Sequence, residues 1–309
     1  MKVGPPFTEQ VRLLVMLLPH VAKQDCFALK GGTAINLFLR DMPRLSVDID
    51  LAYIPVEDRD TSLAGIDGAL FKITNYIERA VPRTSVRSST LKGTDKRFKL
   101  VVSQGSTTVK VEVSPVLRGS VFPTEQRQLS PKAEAKFGFA KVPLLSFEDL
   151  YAGKICATLD RQHPRDLYDI HLLLNNEGIS ERLKNAFLVY LMSHNRPMAE
   201  LLAPHRVDIE PLYRTEFDGM TFEPISLLDL EGTLSQLIQK IHGALTDPDR
   251  RFLVAFKKGE ADWSAFPTLD VERLPAIQWK MLNLNRMDRT KRQKAIIKLE
   301  KVLRGKKGL

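Results

Sequence analysis

Arg44-Leu45-Ser46-Val47-Asp48-Ile49-Asp50-Leu51 alternates apolar and polar residues with a period of two, the pattern of a half-buried strand, predicted here from Ser46 to Ile54. Val47, Ile49 and Leu51 enter a core in this reading, and Asp48 and Asp50 project together from the other face. Two carboxylates so placed suit a hard divalent cation. Mg²⁺ takes one or two protein carboxylates and fills its octahedron with phosphate oxygens and water. An Asp-x-Asp on an exposed strand edge is also ordinary surface, so its surroundings decide between the readings.

Upstream, Thr8 to Lys23 is predicted as a helix and Cys26 to Leu29 as a short buried strand, followed by Lys30-Gly31-Gly32-Thr33 and a second helix through Arg40. Asp41-Met42-Pro43 breaks that helix before the acidic strand begins. A Gly31-Gly32 pair between strand and helix lets backbone N–H groups and the helix N-terminus approach a triphosphate. Thr33 is placed to cap the helix, and Ser46 to offer its hydroxyl to the same phosphates. A Gly-Gly pair is otherwise only a turn. The order, glycines and then the acidic strand, favours a site.

Downstream, Thr61 to Ala80 reads as a helix, and Phe98 to Ser103 with Thr107 to Ser114 as a hairpin turning at Gly105. Glu112 alternates with Val109, Val111 and Val113, which fits either a third carboxylate for a two-metal site or a solvent-facing strand position. From Ser146 the strand signals fade. Phe147 to Leu159, Pro164 to Leu174, Glu181 to His194, Leu227 to Thr246 and Val271 to Asn285 read as helices. The predicted architecture is an α/β domain over residues 1–143, a mixed sheet with helices packed on it, and a mostly helical domain over residues 144–309, with the active site in the cleft between them.

Composition narrows the classes. The 309 residues are 43% hydrophobic, enough for one large core or two modest ones. No apolar run approaches the roughly 18 residues of a membrane span, and the N-terminus shows no basic region leading into an apolar one with a small-residue cleavage site. Cys26 and Cys156 are the only cysteines, too few for a disulfide framework or a thiolate zinc site. A reducing cytoplasm is the expected compartment. The 46 Lys plus Arg against 37 Asp plus Glu leave a formal net charge of +9, which suits a polyanionic partner or a solvated surface. Part of the excess lies from Arg286 to Lys307, where basic residues alternate with Ile296, Ile297, Leu299, Val302 and Leu303 at helical spacing. That is an amphipathic helix whose basic side faces either water or RNA.

Lys30-Gly31-Gly32-Thr33-Ala34-Ile35-Asn36-Leu37 followed by Arg44 to Leu51 resembles the opening motif of the AbiEii/AbiGii (MenT-like) toxin family of nucleotidyltransferases, in the polymerase-β-like superfamily. Lys154, in the helix from Tyr151 to Arg161, and then Arg165-Asp166-Leu167-Tyr168-Asp169 resemble that family's later motifs. The resemblance covers Leu29 to Leu51 and Ser146 to Leu174, with a weaker similarity over Pro275 to Leu284. It implies Mg²⁺-dependent transfer of a nucleoside monophosphate from an NTP to a hydroxyl, with the tRNA 3′ end as acceptor. The implied cellular role is the toxin of a type IV toxin–antitoxin or abortive-infection pair, with an AbiEi-like antitoxin. In that scheme Asp48 and Asp50 hold metal, and Lys154 meets the triphosphate or departing pyrophosphate. Asp166 orients Lys154, contacts the nucleotide or acts on the acceptor. Without the resemblance Lys154 is an ordinary solvated lysine, Asp169 pairs with Arg165 or supports a helix N-terminus, and Tyr168 and His171 pack. Two rival functions fit the same residues: nucleotidylation of a protein or small molecule, and a non-catalytic RNA-binding pseudoenzyme.

Overall fold

The computed structural model describes residues 5–266 and 270–304. The chain forms two compact units, residues 1–150 with 217–224, and residues 151–216 with 225–309.

The first unit is built on a seven-stranded mixed sheet. Its strands are β1 (Phe27–Lys30), β2 (Asp48–Tyr53), β3 (Thr84–Thr90), β4 (Arg97–Gln104), β5 (Thr107–Arg118), β6 (Glu125–Gln128) and β7 (Lys141–Leu144), in the order β3-β4-β5-β2-β1-β7-β6. β2 runs parallel to β5 and antiparallel to β1, and β1 runs parallel to β7. The β4–β5 pair is the expected hairpin, turning through Gly105 at φ 59°.

Helices α1 (Pro5–Val21) and α3 (Arg59–Ala80) lie on one face of this sheet, α1 against β5 and β7, α3 against β3 and β4. The reason is in the alternation: Ile49, Leu51, Leu100, Val102, Val109, Val111 and Val113 point to that face and are buried with Leu14 and Leu18 of α1 and Leu70, Ile73 and Ile77 of α3. Asp58 starts α3 by accepting from the backbone N–H groups of Asp60 and Thr61. Between β1 and β2 the chain forms α2 (Gly31–Ala34), which widens into a π turn over Ile35–Leu39. The Arg40 N–H donates to the Ile35 carbonyl at 2.8 Å, five residues back, and the turn ends in extended backbone. α4 (Pro131–Phe137) completes this unit's helices.

The second unit is helical. α5 (Phe147–Arg161) begins in the first unit and continues into this one. It is followed by α6 (Pro164–Asn176), α7 (Glu181–Ser193), α8 (Met198–Leu202), α9 (Glu210–Leu212), α10 (Leu227–Ala244), α11 (Asp247–Lys258), α12 (Pro275–Arg286) and α13 (Arg289–Arg304). α10 packs on α6, α12 on α7, and α13 on both α8 and α11. α11 starts at a capping box: Thr246 accepts from the Asp249 N–H while the Asp249 carboxylate accepts from the Thr246 N–H. α13 is the expected amphipathic helix. It buries Ile296, Leu299 and Leu303 and leaves Arg289, Lys291, Lys294 and Lys301 exposed; residues 305–307 of the expected basic tail lie outside the described residues. Among the described residues no helix is long and apolar enough to cross a membrane.

Candidate active site

Asp48 and Asp50 leave β2 on the face opposite α1 and α3, both half-buried, while Ile49 between them is fully buried. The Asp50 carboxylate lies directly over Gly31. That glycine sits at φ +74°, and a Cβ there would collide with Asp50 Oδ2. Glycine is therefore required twice, by the left-handed backbone and by the approach of the carboxylate. Gly32 is closed in from another side, where a Cβ would come within 2.9 Å of both Arg44 Nη2 and Ser46 Oγ. The two glycines thus bring the first turn of α2 against an acidic strand on one side and a guanidinium with a hydroxyl on the other.

Thr33 departs from the expected capping role. Helix α2 begins at Gly31 with no side-chain cap. The Thr33 hydroxyl instead donates to the Asp48 carbonyl oxygen at 2.6 Å and lies 3.0 Å from Ser46 Oγ. It is buried and ties the start of α2 to the start of β2, holding the glycines at a fixed distance from the carboxylates. Asn36 adds a second tie, donating to the Gly32 carbonyl at 2.9 Å.

Arg44 and Lys30 were not singled out by sequence. Arg44 is 2% exposed, an unusual place for a guanidinium, and donates to the Leu45 carbonyl at 2.9 Å. Lys30 pairs in register with Asp50 across β1 and β2, so it shares the carboxylate face. The legible signal was register: a lysine ending β1 is opposite the second aspartate once the two strands are antiparallel.

Glu112 lies in register with Asp50 on the neighbouring parallel strand β5, so the two share a face. Its carboxylate is met by Lys99 Nζ at 3.2 Å. Among the described residues no three His, Cys, Asp or Glu side chains are gathered as a metal cluster. The acidic donors at hand are Asp48 and Asp50, and a pair of carboxylates fits Mg²⁺, which draws its remaining oxygens from phosphate and water.

In the second unit, Lys154 is 7% exposed, not a solvated helix lysine. Its ammonium lies 2.8 Å from Asp166 Oδ1 and 2.9 Å from Asp169 Oδ2. Arg161 Nε approaches the other Asp166 oxygen at 2.6 Å. Burial pushes the Asp166 carboxyl up, but the charges and hydrogen bonds of Lys154 and Arg161 outweigh it and hold the group below the usual carboxylate range. The local sequence explains the meeting: His163 caps α6 at Arg165, which puts Asp166 in the first turn and Asp169 one turn on, on one side facing Lys154. Asp169 therefore pairs with Lys154. Arg165 reaches Glu216 instead, at 3.2 Å. Tyr168 is buried, as expected of a packing residue.

At the start of α5, Ser146 and Asp149 cap reciprocally, and the Asp149 carboxylate also accepts from the backbone N–H groups of Val121 and Phe122 at 2.8 and 2.9 Å. This carboxylate is structural: it is buried and fully engaged in anchoring the chain after β5.

A sequence model described as "Nucleotidyl transferase AbiEii toxin, Type IV TA system" matches residues 12–282. No curated protein matches. Among solved structures, MenT4, a nucleotidyltransferase toxin from Mycobacterium tuberculosis H37Rv, is similar with a TM-score of 0.59 and 16% identity, covering 91% of this chain and 95% of that one. At that identity the likeness speaks for the fold. The family match spans most of the chain, including both the glycine turn with its acidic strand and the Lys154–Asp166 pair. The chain belongs to the AbiEii family of nucleotidyltransferase toxins of type IV toxin–antitoxin systems.

Proposed function

We propose that this nucleotidyltransferase moves a nucleoside monophosphate from an NTP to a hydroxyl at the tRNA 3′ end, with Mg²⁺ held by Asp48 and Asp50, and that an AbiEi-like antitoxin is its counterpart. The acceptor oxygen attacks the α-phosphorus, the bond to the bridging oxygen breaks, and pyrophosphate leaves. The observation that carries the reading is the Asp50 carboxylate seated over Gly31 at the start of α2. It sets two metal-binding carboxylates beside backbone N–H groups suited to phosphate, in a site where Arg44 and Ser46 close in on Gly32.

Bound Mg²⁺ would spread the charge that builds on the phosphates during transfer. The protein's share is positioning. Gly31 and Gly32 let the backbone approach the triphosphate, and Ser46 and Arg44 offer a hydroxyl and a planar cation to its oxygens. Thr33 keeps the turn in register with β2. Glu112, on the same face but met by Lys99, is not gathered with Asp48 and Asp50 as a third ligand. Lys154 is held by Asp166 and Asp169, and its role toward the triphosphate or pyrophosphate is what the family resemblance implies.

The test is incubation of the purified protein with Mg²⁺, each labelled NTP in turn and total RNA, beside Asp48→Ala and Asp50→Ala. Label on RNA 3′ ends that disappears in both variants, by at least about a hundredfold, is the expected result. Label on protein or on a small molecule would overturn the acceptor. Unchanged transfer in either variant would overturn the metal assignment, and binding without label would make the chain a pseudoenzyme.

A further inference from the structure

We infer that the polar face of β5, β4 and β3 is the track for the acceptor: a single-stranded polynucleotide leading to its 3′ hydroxyl, gripped by its phosphates. The inference rests on the nucleotidyl-transfer reading of Asp48 and Asp50.

α1 and α3 cover the other face of these strands. On the face that carries Asp48 and Asp50, strand pairing sets up two rows that start at those carboxylates and run to the sheet edge. One passes from Asp48 to Lys110, Val101 and Arg87; the next passes from Asp50 to Glu112, Lys99 and Ser89. A third row, Thr108, Ser103 and Ser85, carries only hydroxyls. Lys110, Arg87, Ser85 and Ser89 are exposed. Glu112 is met by Lys99, and no other Asp or Glu occupies these rows beyond β2. In the Asp48 row the charge therefore changes sign one strand away, to the Lys110 ammonium and then the Arg87 guanidinium, while in the Asp50 row Glu112 and Lys99 offset each other.

That change suits a polyanion whose end must reach two carboxylates that repel it. Cations one and three strands away hold the phosphates while the terminal hydroxyl sits at the metal. Neighbouring strands lie about 4.8 Å apart, so Arg87 stands about 14 Å from Asp48. That is a reach of about four stacked nucleotides at about 3.4 Å each. The rows contain no aromatic side chain on which a base would stack and no amide that would read a base edge. The grip is therefore on the backbone, it does not select sequence, and it weakens with salt.

The test compares the full-length protein with an Arg87→Ala, Lys110→Ala double variant, both positions being exposed. Binding of a fluorescent single-stranded RNA with a free 3′ hydroxyl is measured across a salt series, beside Mg²⁺-NTP binding. With two phosphates of the single strand no longer neutralised, the log–log salt slope is expected to fall by about 1.4, at about 0.7 per phosphate, with NTP binding unchanged. A charge-keeping Arg87→Lys, Lys110→Arg variant should bind RNA like the parent, which separates charge from damage to the strands. If the double variant matches the parent in affinity and slope, the track is overturned while the transfer reading stands. If the parent itself neither binds nor labels RNA, the track and the RNA acceptor both fall.

Discussion

Gly31 shows how one residue can be settled by two independent constraints, because its φ of +74° and the Asp50 carboxylate above it both exclude a side chain. Gly31→Ala is expected to cost about 1–3 kcal/mol of stability and to push Asp50 off its position, so that transfer falls further than the melting temperature suggests. Urea denaturation beside a transfer assay checks this, and a fully active Gly31→Ala would show that Asp50 need not sit where it does. The Gly-Gly pair and the two aspartates were legible in the sequence because glycine placement and strand alternation are local signals. Arg44 was not, because nothing local says that a guanidinium between Pro43 and Leu45 will be buried beside Gly32. Lys154 was legible as a position but not in its environment. With Asp166 and Asp169 at 2.8 and 2.9 Å, its removal takes a counter-charge from two buried carboxylates, of which Asp166 keeps Arg161, and Lys154→Met is expected to lose about 3 kcal/mol of stability. Replacing both aspartates with Asn in that background should recover part of the loss. Asp166 has its pKa depressed on folding, so its contribution is present above about pH 4, its unfolded value, and fades as pH falls below that. Urea midpoints of parent, single and triple variants at pH 7 measure the pair; a Lys154→Met chain as stable as its parent would mean that the ammonium does not offset those two charges.

At the scale of elements, those with strong periodicity were read within a few residues: α1, α3, α10 and the β4–β5 hairpin all stand where alternation or helical spacing put them. The strands β3, β6 and β7 were not foreseen. β3 is an edge strand with Val86 as its one apolar residue, and β6, the other edge, has none; backbone pairing with a neighbour makes them strands, and sequence patterning carries little of that. Helix α11 was missed although Thr246-Asp247-Pro248-Asp249 spells its capping box, because only Phe252, Leu253 and Phe256 are buried along it. α12 carries a titratable device that no pattern discloses. Lys280 is pulled down to about 8 by burial first and by Lys257 second, while its ammonium donates to the His194 carbonyl. Its folded pKa lies below the unfolded value of about 10.4, so between those values the unfolded chain binds more protons and stability rises with pH. Lys280→Met is expected to lack this gain. The check is the difference between parent and variant urea midpoints at pH 7 and at pH 10: it should widen in the parent's favour on alkalinisation, and a constant difference would mean that Lys280 titrates as an ordinary surface lysine.

At the scale of the whole molecule, the net charge of +9 is sorted by the fold into groups that are already engaged and groups that face water. Lys154 and Lys184 are buried against carboxylates, and Arg250 is turned inward onto the Leu303 and His242 carbonyls. Arg292, on the basic helix α13, donates to the Leu284 and Lys258 carbonyls, so it tethers that helix and does not extend outward. Arg289, Lys291, Lys294 and Lys301 are exposed around it, and these four form one basic patch on the surface of the helical unit. In the proposed reading the acceptor is a tRNA, much larger than the terminal nucleotides that would receive the transferred group, so its body has phosphates to spare for such a surface. Replacing the four with Ala, and leaving Arg292 in place so that α13 keeps its anchor, is expected to weaken tRNA binding and to reduce the log–log salt slope by about 0.7 to 0.9 for each phosphate that the variant no longer neutralises. Short single-stranded RNA, which lacks a tRNA body, should bind the variant and the parent alike, and Mg²⁺-NTP binding should not change. The measurement is a salt series with both RNAs. If tRNA affinity and slope match the parent, α13 is a solvated face and the footprint of the tRNA body lies elsewhere; if short RNA binding fails as well, the four cations belong to the path of the 3′ end and not to a separate hold on the tRNA body.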